Sequence, residues 1–170
     1  MTKRAADAID TENRILKAVF DLWIEGTLKD ITLERVAEKS GVTVRTILRK
    51  FGSKEGLFEA SLNVDLAGIK SIKDKTITGD LESIVDTMLE EYETTGMAGI
   101  KTLYLEYELE QAVMILKKGR QYHKEWCERV FEPFLPADNP QKRHEMLGAM
   151  YVETDINCWK LLRIDLGYNL

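Results

Sequence analysis

Cysteine, proline and histidine are scarce in this chain, whose 170 residues include two, three and two of them. Cys127 and Cys158 share no C-x-x-C spacing and sit inside apolar periodic segments, so they read as buried free thiols, not as a disulfide or a metal site. His123 and His144 stand apart from any ligand pair, which leaves a zinc site without support. All three prolines fall in PFLPADNPQ, an unambiguous loop, so proline interrupts no helix before residue 133. A run of about 18 apolar residues, which a bilayer-spanning helix requires, is missing. The opening MTKRAADAIDTENR turns acidic and polar where a signal peptide needs its apolar region. A cytoplasmic protein without membrane association is therefore expected. Glycine-rich phosphate loops, G-x-S-x-G and H-E-x-x-H are missing too, so the expectation is no enzyme, no cofactor and no metal.

What is present is the composition of a packed domain, 44% apolar and 31% charged. The length fits one core-forming unit, or one with a small module attached. Charge is unevenly spread. Residues 1–54 hold 11 Lys and Arg against 8 Asp and Glu, a net of +3, whereas residues 55–170 hold 13 against 21, a net of −8. Residues 39–54 carry five basic side chains (Lys39, Arg45, Arg49, Lys50, Lys54) and no acidic one. By charge alone such a cluster is as well explained by a solvated face as by a binding surface.

Apolar spacing predicts helices throughout and no convincing strand. In TENRILKAVFDLWIEG, residues Ile15, Leu16, Val19, Phe20 and Trp23 recur at helical intervals, and Gly26 is the stop. DITLERVAEKSG reads as a short helix with Thr32 as N-cap, Ile31 and Val36 as a hydrophobic staple, and Gly41 as terminator. TVRTILRKFG repeats the pattern, with Thr43 as cap, Val42 and Ile47 as staple, and Gly52 at the end. Ser53 caps a longer helix running to about Lys73. After the linker TITGD, a face of Leu81, Ile84, Val85, Met88, Leu89 and Tyr92 runs until TTGMAG interrupts it. Residues 100–134 form one long helix or two, with breaks expected at Gly119 or near Leu109. YLEYELE alternates like a strand but is read as helix. A last helix is expected from Gln141 to Arg163.

Two short helices joined at Gly41 have the grammar of a helix-turn-helix. Ala37 lies where the second helix crosses closely, and Gly41 supplies the left-handed conformation of the turn. Ile47 points back into the small core, which turns the rest of residues 43–50 outward. A helix offered end-on to the major groove contacts bases from its first turn and phosphates further along. Arg45 is the best base reader, because its fork donates two hydrogen bonds to guanine. Thr46 can meet a base edge or a thymine methyl, and Val44 offers apolar contact.

These residues, ITLERVAEKSGVTVRTILRKFGSKEGLFEASL at positions 31–62, resemble the TetR family of transcriptional regulators. The resemblance implies an all-α fold: a three-helix helix-turn-helix domain over 1–54, a connecting helix over 55–74, and a helical effector-binding and dimerisation domain over 75–170. It places Thr43, Val44, Arg45 and Thr46 at the groove and Arg49, Lys50 and Lys54 on the DNA backbone. Thr32 would donate to a phosphate from a helix N-terminus. Leu48 stands where the family commonly has tyrosine, so a phenolic phosphate contact is lost at that point. The resemblance further implies a homodimer, a palindromic double-stranded DNA operator, a small-molecule effector, repression, and one more helix beyond a position like Leu170.

Bulky side chains in the second part, Met88, Tyr104, Tyr107, Tyr122 and Trp126, together with the polar Asn157, are candidates for an effector pocket. Singly, each apolar one reads first as core. Two rival readings exist. Glu106, Glu108 and Glu110 with Glu90 and Glu91 suggest a carboxylate-rich metal-binding protein or enzyme, although a helix separates Glu108 from the other two and no Glu-x-x-His pair accompanies them. The basic helix also suits a protein-interaction module without specific DNA binding.

Overall fold

The computed structural model describes residues 3–169, and among them it contains α-helices and no strand. In chain order these are α1 (Lys3–Glu25), α2 (Leu33–Ser40), α3 (Val44–Phe51), α4 (Lys54–Lys73), α5 (Leu81–Tyr104), α6 (Glu110–Val130), α7 (Pro140–Glu153) and α8 (Ile156–Lys160). They form two compact units, Met1–Asp65 and Leu66–Leu170. The helix expected beyond Leu170 lies outside the described residues. No helix is long and apolar enough to cross a membrane among the described residues.

In the first unit, α1 buries Ile15, Leu16, Val19, Leu22 and Trp23. It begins some two turns earlier than its apolar face requires, and Ala6–Asp10 are exposed there. Trp23 meets Phe58 of α4 edge to face, with ring centroids 5.6 Å apart. Thr32 Oγ1 accepts from the Arg35 N–H at 3.2 Å, and Thr43 Oγ1 from the Thr46 N–H at 3.2 Å, so each cap satisfies a donor that its helix leaves unpaired. Between them Gly41 has φ +69°, and the Val42 N–H returns to Ala37 O at 3.1 Å. That left-handed residue reverses the chain, and a side chain there would be strained. Arg14 Nη1 donates to Ser40 O at 2.9 Å, which ties α1 to the end of α2.

In the second unit, α5 runs straight through TTGMAG, contrary to the break expected from its glycines. These glycines serve packing: a Cβ on Gly96 would stand 2.7 Å from the Trp159 ring, and one on Gly99 2.6 Å from Ile156 Cδ1. Between α5 and α6 the chain breaks at residues 105–109, one of the two positions expected, and YLEYELE is half turn there. Gly119 is interior to α6. The single helix expected over 141–163 is instead two, because Tyr92 donates to Thr154 O at 2.6 Å and Asp155 caps the next helix through the Asn157 N–H at 2.9 Å. One apolar cluster gathers Ile84, Trp126, Cys127, Val130 and Phe131, and another gathers Tyr92, Ile100 and Trp159.

The two glycines make opposite forecasts. Gly119→Ala meets nothing within 4 Å, and should stabilise by up to about 1 kcal/mol through helix propensity. Gly96→Ala gains the same propensity but drives a methyl into Trp159, and should destabilise by about 1–3 kcal/mol. Urea denaturation of both variants checks this; equal shifts of the same sign would contradict the α5–α8 packing.

Candidate functional site

The geometry of α3 follows from one buried side chain. Ile47 is fully buried, and Val36 of α2 is likewise buried. Helical periodicity then turns Arg45, Leu48 and Arg49 outward, and all three are exposed. Arg45 and Arg49 make no hydrogen bond or ion pair among the described residues, so both guanidinium groups are unspent. Thr43 and Thr46 hydroxyls lie 3.0 Å apart at the start of the helix, and Val44 between them is half-buried. Thr32, at the start of α2, is also partly accessible. Leu48 is 39% exposed, an apolar side chain on an otherwise polar face.

The other two cations differ. Lys50 Nζ donates to Ala8 O at 3.1 Å and pairs with Glu12 at 3.2 Å, so it is engaged in holding α3 against α1. Lys54 Nζ reaches toward Leu28 O at 3.5 Å from a half-buried position. The five-membered basic cluster read in the sequence thus divides into two free guanidinium groups, two ammonium groups directed at the protein's own backbone, and Lys39, whose ammonium pairs with Glu25 at 2.7 Å.

In the second unit the six candidate pocket residues are not gathered into one site, although Met88 packs against the core cluster that contains Trp126. Tyr104 and Tyr107 are 71% and 94% exposed, since α5 ends at Tyr104 and the turn carries both rings outward. Trp126 is core, with its indole N–H donating to Thr76 Oγ1 at 3.0 Å. Tyr122 donates to Asp74 at 2.6 Å, and burial together with that carboxylate pushes its phenol upward in pKa. Met88 packs between the two apolar clusters. Asn157 is exposed and donates to Asp155. A cleft of about 740 Å³ does open between α6 and α7, but its lining includes none of these six.

What the sequence did not disclose is a buried polar network. Lys73, on the last turn of α4, is 2% exposed. Its Nζ lies 3.1 Å from Glu91 Oε2 of α5, 2.8 Å from His123 Nδ1 of α6, and 4.5 Å above the Trp126 ring. Because an ammonium cannot accept a hydrogen bond, Nδ1 must be the unprotonated acceptor. The proton then sits on Nε2, which faces Thr154 Oγ1 at 3.1 Å. Burial first, and the neighbouring Lys73 charge second, lower the His123 pKa to about 4. Burial raises the Glu91 carboxyl, with Lys73 pulling it back. Cys127 Sγ completes the group, 3.4 Å from Thr154 Oγ1. A usable signal was the helical register, in which Glu91 falls seven residues after the apolar Ile84 and hence on the same face.

The carboxylates of the rival reading are dispersed. Glu91 is engaged with Lys73, Glu106 forms a two-pronged ion pair with Arg120, and among the described residues no group of three or more His, Cys, Asp or Glu is placed to hold a metal.

Residues 15–61 match the family model described as bacterial regulatory proteins, tetR family. The chain is also similar to an uncharacterized HTH-type transcriptional regulator, YvkB, of Bacillus subtilis (strain 168), at 36% identity over 86 residues. That alignment covers 49% of this chain and 46% of the relative, so the chain spans about half the length of the protein it matches. Residues 15–61 contain both capped helices, the left-handed glycine between them and the outward face of α3. Over this segment the chain is similar to the tetR family of bacterial regulatory proteins.

Proposed function

We propose that this chain is a DNA-binding transcriptional regulator: an effector-responsive repressor that binds a palindromic operator as a homodimer and acts by binding, not catalysis. The observation that carries it is α3 itself, one face sealed by Ile47 and the other presenting the unspent Arg45 and Arg49. In this reading Arg45 reads a guanine edge, Thr43, Val44 and Thr46 line the groove beside it, and Arg49, Lys54 and Thr32 meet phosphates. Lys50 meets a phosphate only by giving up Glu12. Two half-sites about 34–36 Å apart require matching recognition helices in the dimer. An effector acts by preferring the conformation in which that spacing is wrong. The buried Lys73 supports such coupling, since it holds the last turn of α4 to α5 and α6.

Fluorescence anisotropy on duplexes tiling the upstream region of the chain's own gene tests this. One duplex should bind in preference, and Arg45→Ala should reduce that preference by about 1–3 kcal/mol, the worth of one bidentate base contact. Arg49→Ala should weaken all duplexes alike and lower the salt slope by about one. Uniform binding of every duplex, unaffected by Arg45→Ala, refutes the reading and favours a protein partner for the basic helix.

A further inference from the structure

We propose that the cleft between α6 and α7 is a site for a small amphipathic carboxylate, an apolar body with one anionic head. The inference rests on the effector-responsive reading above and names the chemical class of effector. The cleft's apolar surface comes from Val113, Leu147 and Tyr151. Its charged lining is Lys117, Arg120 and Lys124 against Glu106 and Glu128, with His144 from α7 in addition.

These ions are not equivalent. Arg120 is engaged by Glu106 through both of its terminal nitrogens. Lys124 and Glu128 are 3.8 Å apart with side chains 60% and 46% exposed, a loose pair that a competing anion replaces at little cost. Lys117 and His144 have no partner among the described residues. The cleft is therefore a positive site in a region, residues 55–170, whose net charge is −8. Such a local reversal of sign concentrates anions and disfavours cations. An apolar surface with a few convergent charges, and a volume of about 740 Å³, matches the usual anatomy of small-ligand sites. Gly148 lines the cleft at an exposed position where a Cβ would meet nothing within 4 Å, so a larger side chain there has room to extend over it. The head of the ligand pairs with Lys117 and Lys124, and its tail lies over Leu147 and Tyr151.

The test is isothermal titration calorimetry of the full chain with three probes of equal tail length, decanoate, decanol and decyltrimethylammonium, each kept monomeric. Decanoate should bind at one per chain, at least about tenfold tighter than either alternative, the scale of two modest ion pairs lost or reversed. Gly148→Phe, which fills the cleft from an exposed helix position, should abolish the heat. Lys117→Glu with Lys124→Glu should weaken decanoate by about tenfold or more. Circular dichroism confirms that each variant keeps its helices. The proposal fails if the cationic probe binds as tightly as decanoate, or if both folded variants bind decanoate unchanged. It also fails if decanoate gives no heat with a chain that still selects its operator. A chain that binds neither decanoate nor any operator overturns the regulator reading as well.

Discussion

Lys73→Met is expected to cost about 3–5 kcal/mol of folding stability at neutral pH, the usual penalty for stranding one member of a buried ion pair. Lys73 is 2% exposed, and the Glu91 side chain it faces at 3.1 Å is 7% exposed. Removing the ammonium leaves Glu91 with burial alone acting on it, and burial already raises its carboxyl. The carboxyl then takes up a proton, which limits the loss. The double variant Lys73→Met, Glu91→Leu should recover most of the deficit, because an apolar pair of similar volume pays no desolvation of charge. Urea or guanidinium unfolding of the two single variants and the double one gives the coupling energy directly. A Lys73→Met loss under about 1 kcal/mol would mean that the pair is hydrated, and its proposed part in holding α4 would lapse.

A second large effect is expected on acidification. His123 has a folded pKa of about 4 against an ordinary value of 6.5. Between those two values the unfolded chain binds the proton and the folded chain does not, so stability falls as pH drops through that window. The full span corresponds to about 3 kcal/mol, taken as an order of magnitude. Asp65 runs the other way. Burial raises its carboxyl to about 7, so the folded state holds the extra proton from about pH 7 down to the ordinary carboxylate range, and this contribution increases stability as pH falls. The wild-type profile alone would mix the two. The informative quantity is the stability difference between wild type and His123→Gln, in which Asp65 cancels. That difference should favour wild type at pH 7 and shrink by about 3 kcal/mol by pH 4. A difference independent of pH would show that His123 titrates normally.

The two units were unequally legible in the sequence. In the first, each decisive feature is local. Thr32 and Thr43 cap the N–H groups three residues on. The stop glycine at 41 takes its left-handed conformation because its own backbone demands it. Such features depend on neighbours within about one helical turn, so they survive reading without a structure. The same local logic failed at TTGMAG, where glycines that usually punctuate a helix instead admit Trp159 and Ile156 from residues some 60 positions later.

What the sequence by itself determined, then, is the all-α class, the capped helix-turn-helix and the outward place of Arg45 and Arg49, since helical period and one buried Ile47 settle which way those side chains face. Only the tertiary structure decided that Lys50 is held by Glu12, that Tyr104 and Tyr107 face water, and that Lys73, Glu91 and His123 share one buried site. Lys73 and His123 are 50 residues apart in the chain. A charged residue at the end of a helix reads as solvent-exposed until the fold brings up the partners that let it be buried, and that pairing is a property of packing, not of any local pattern.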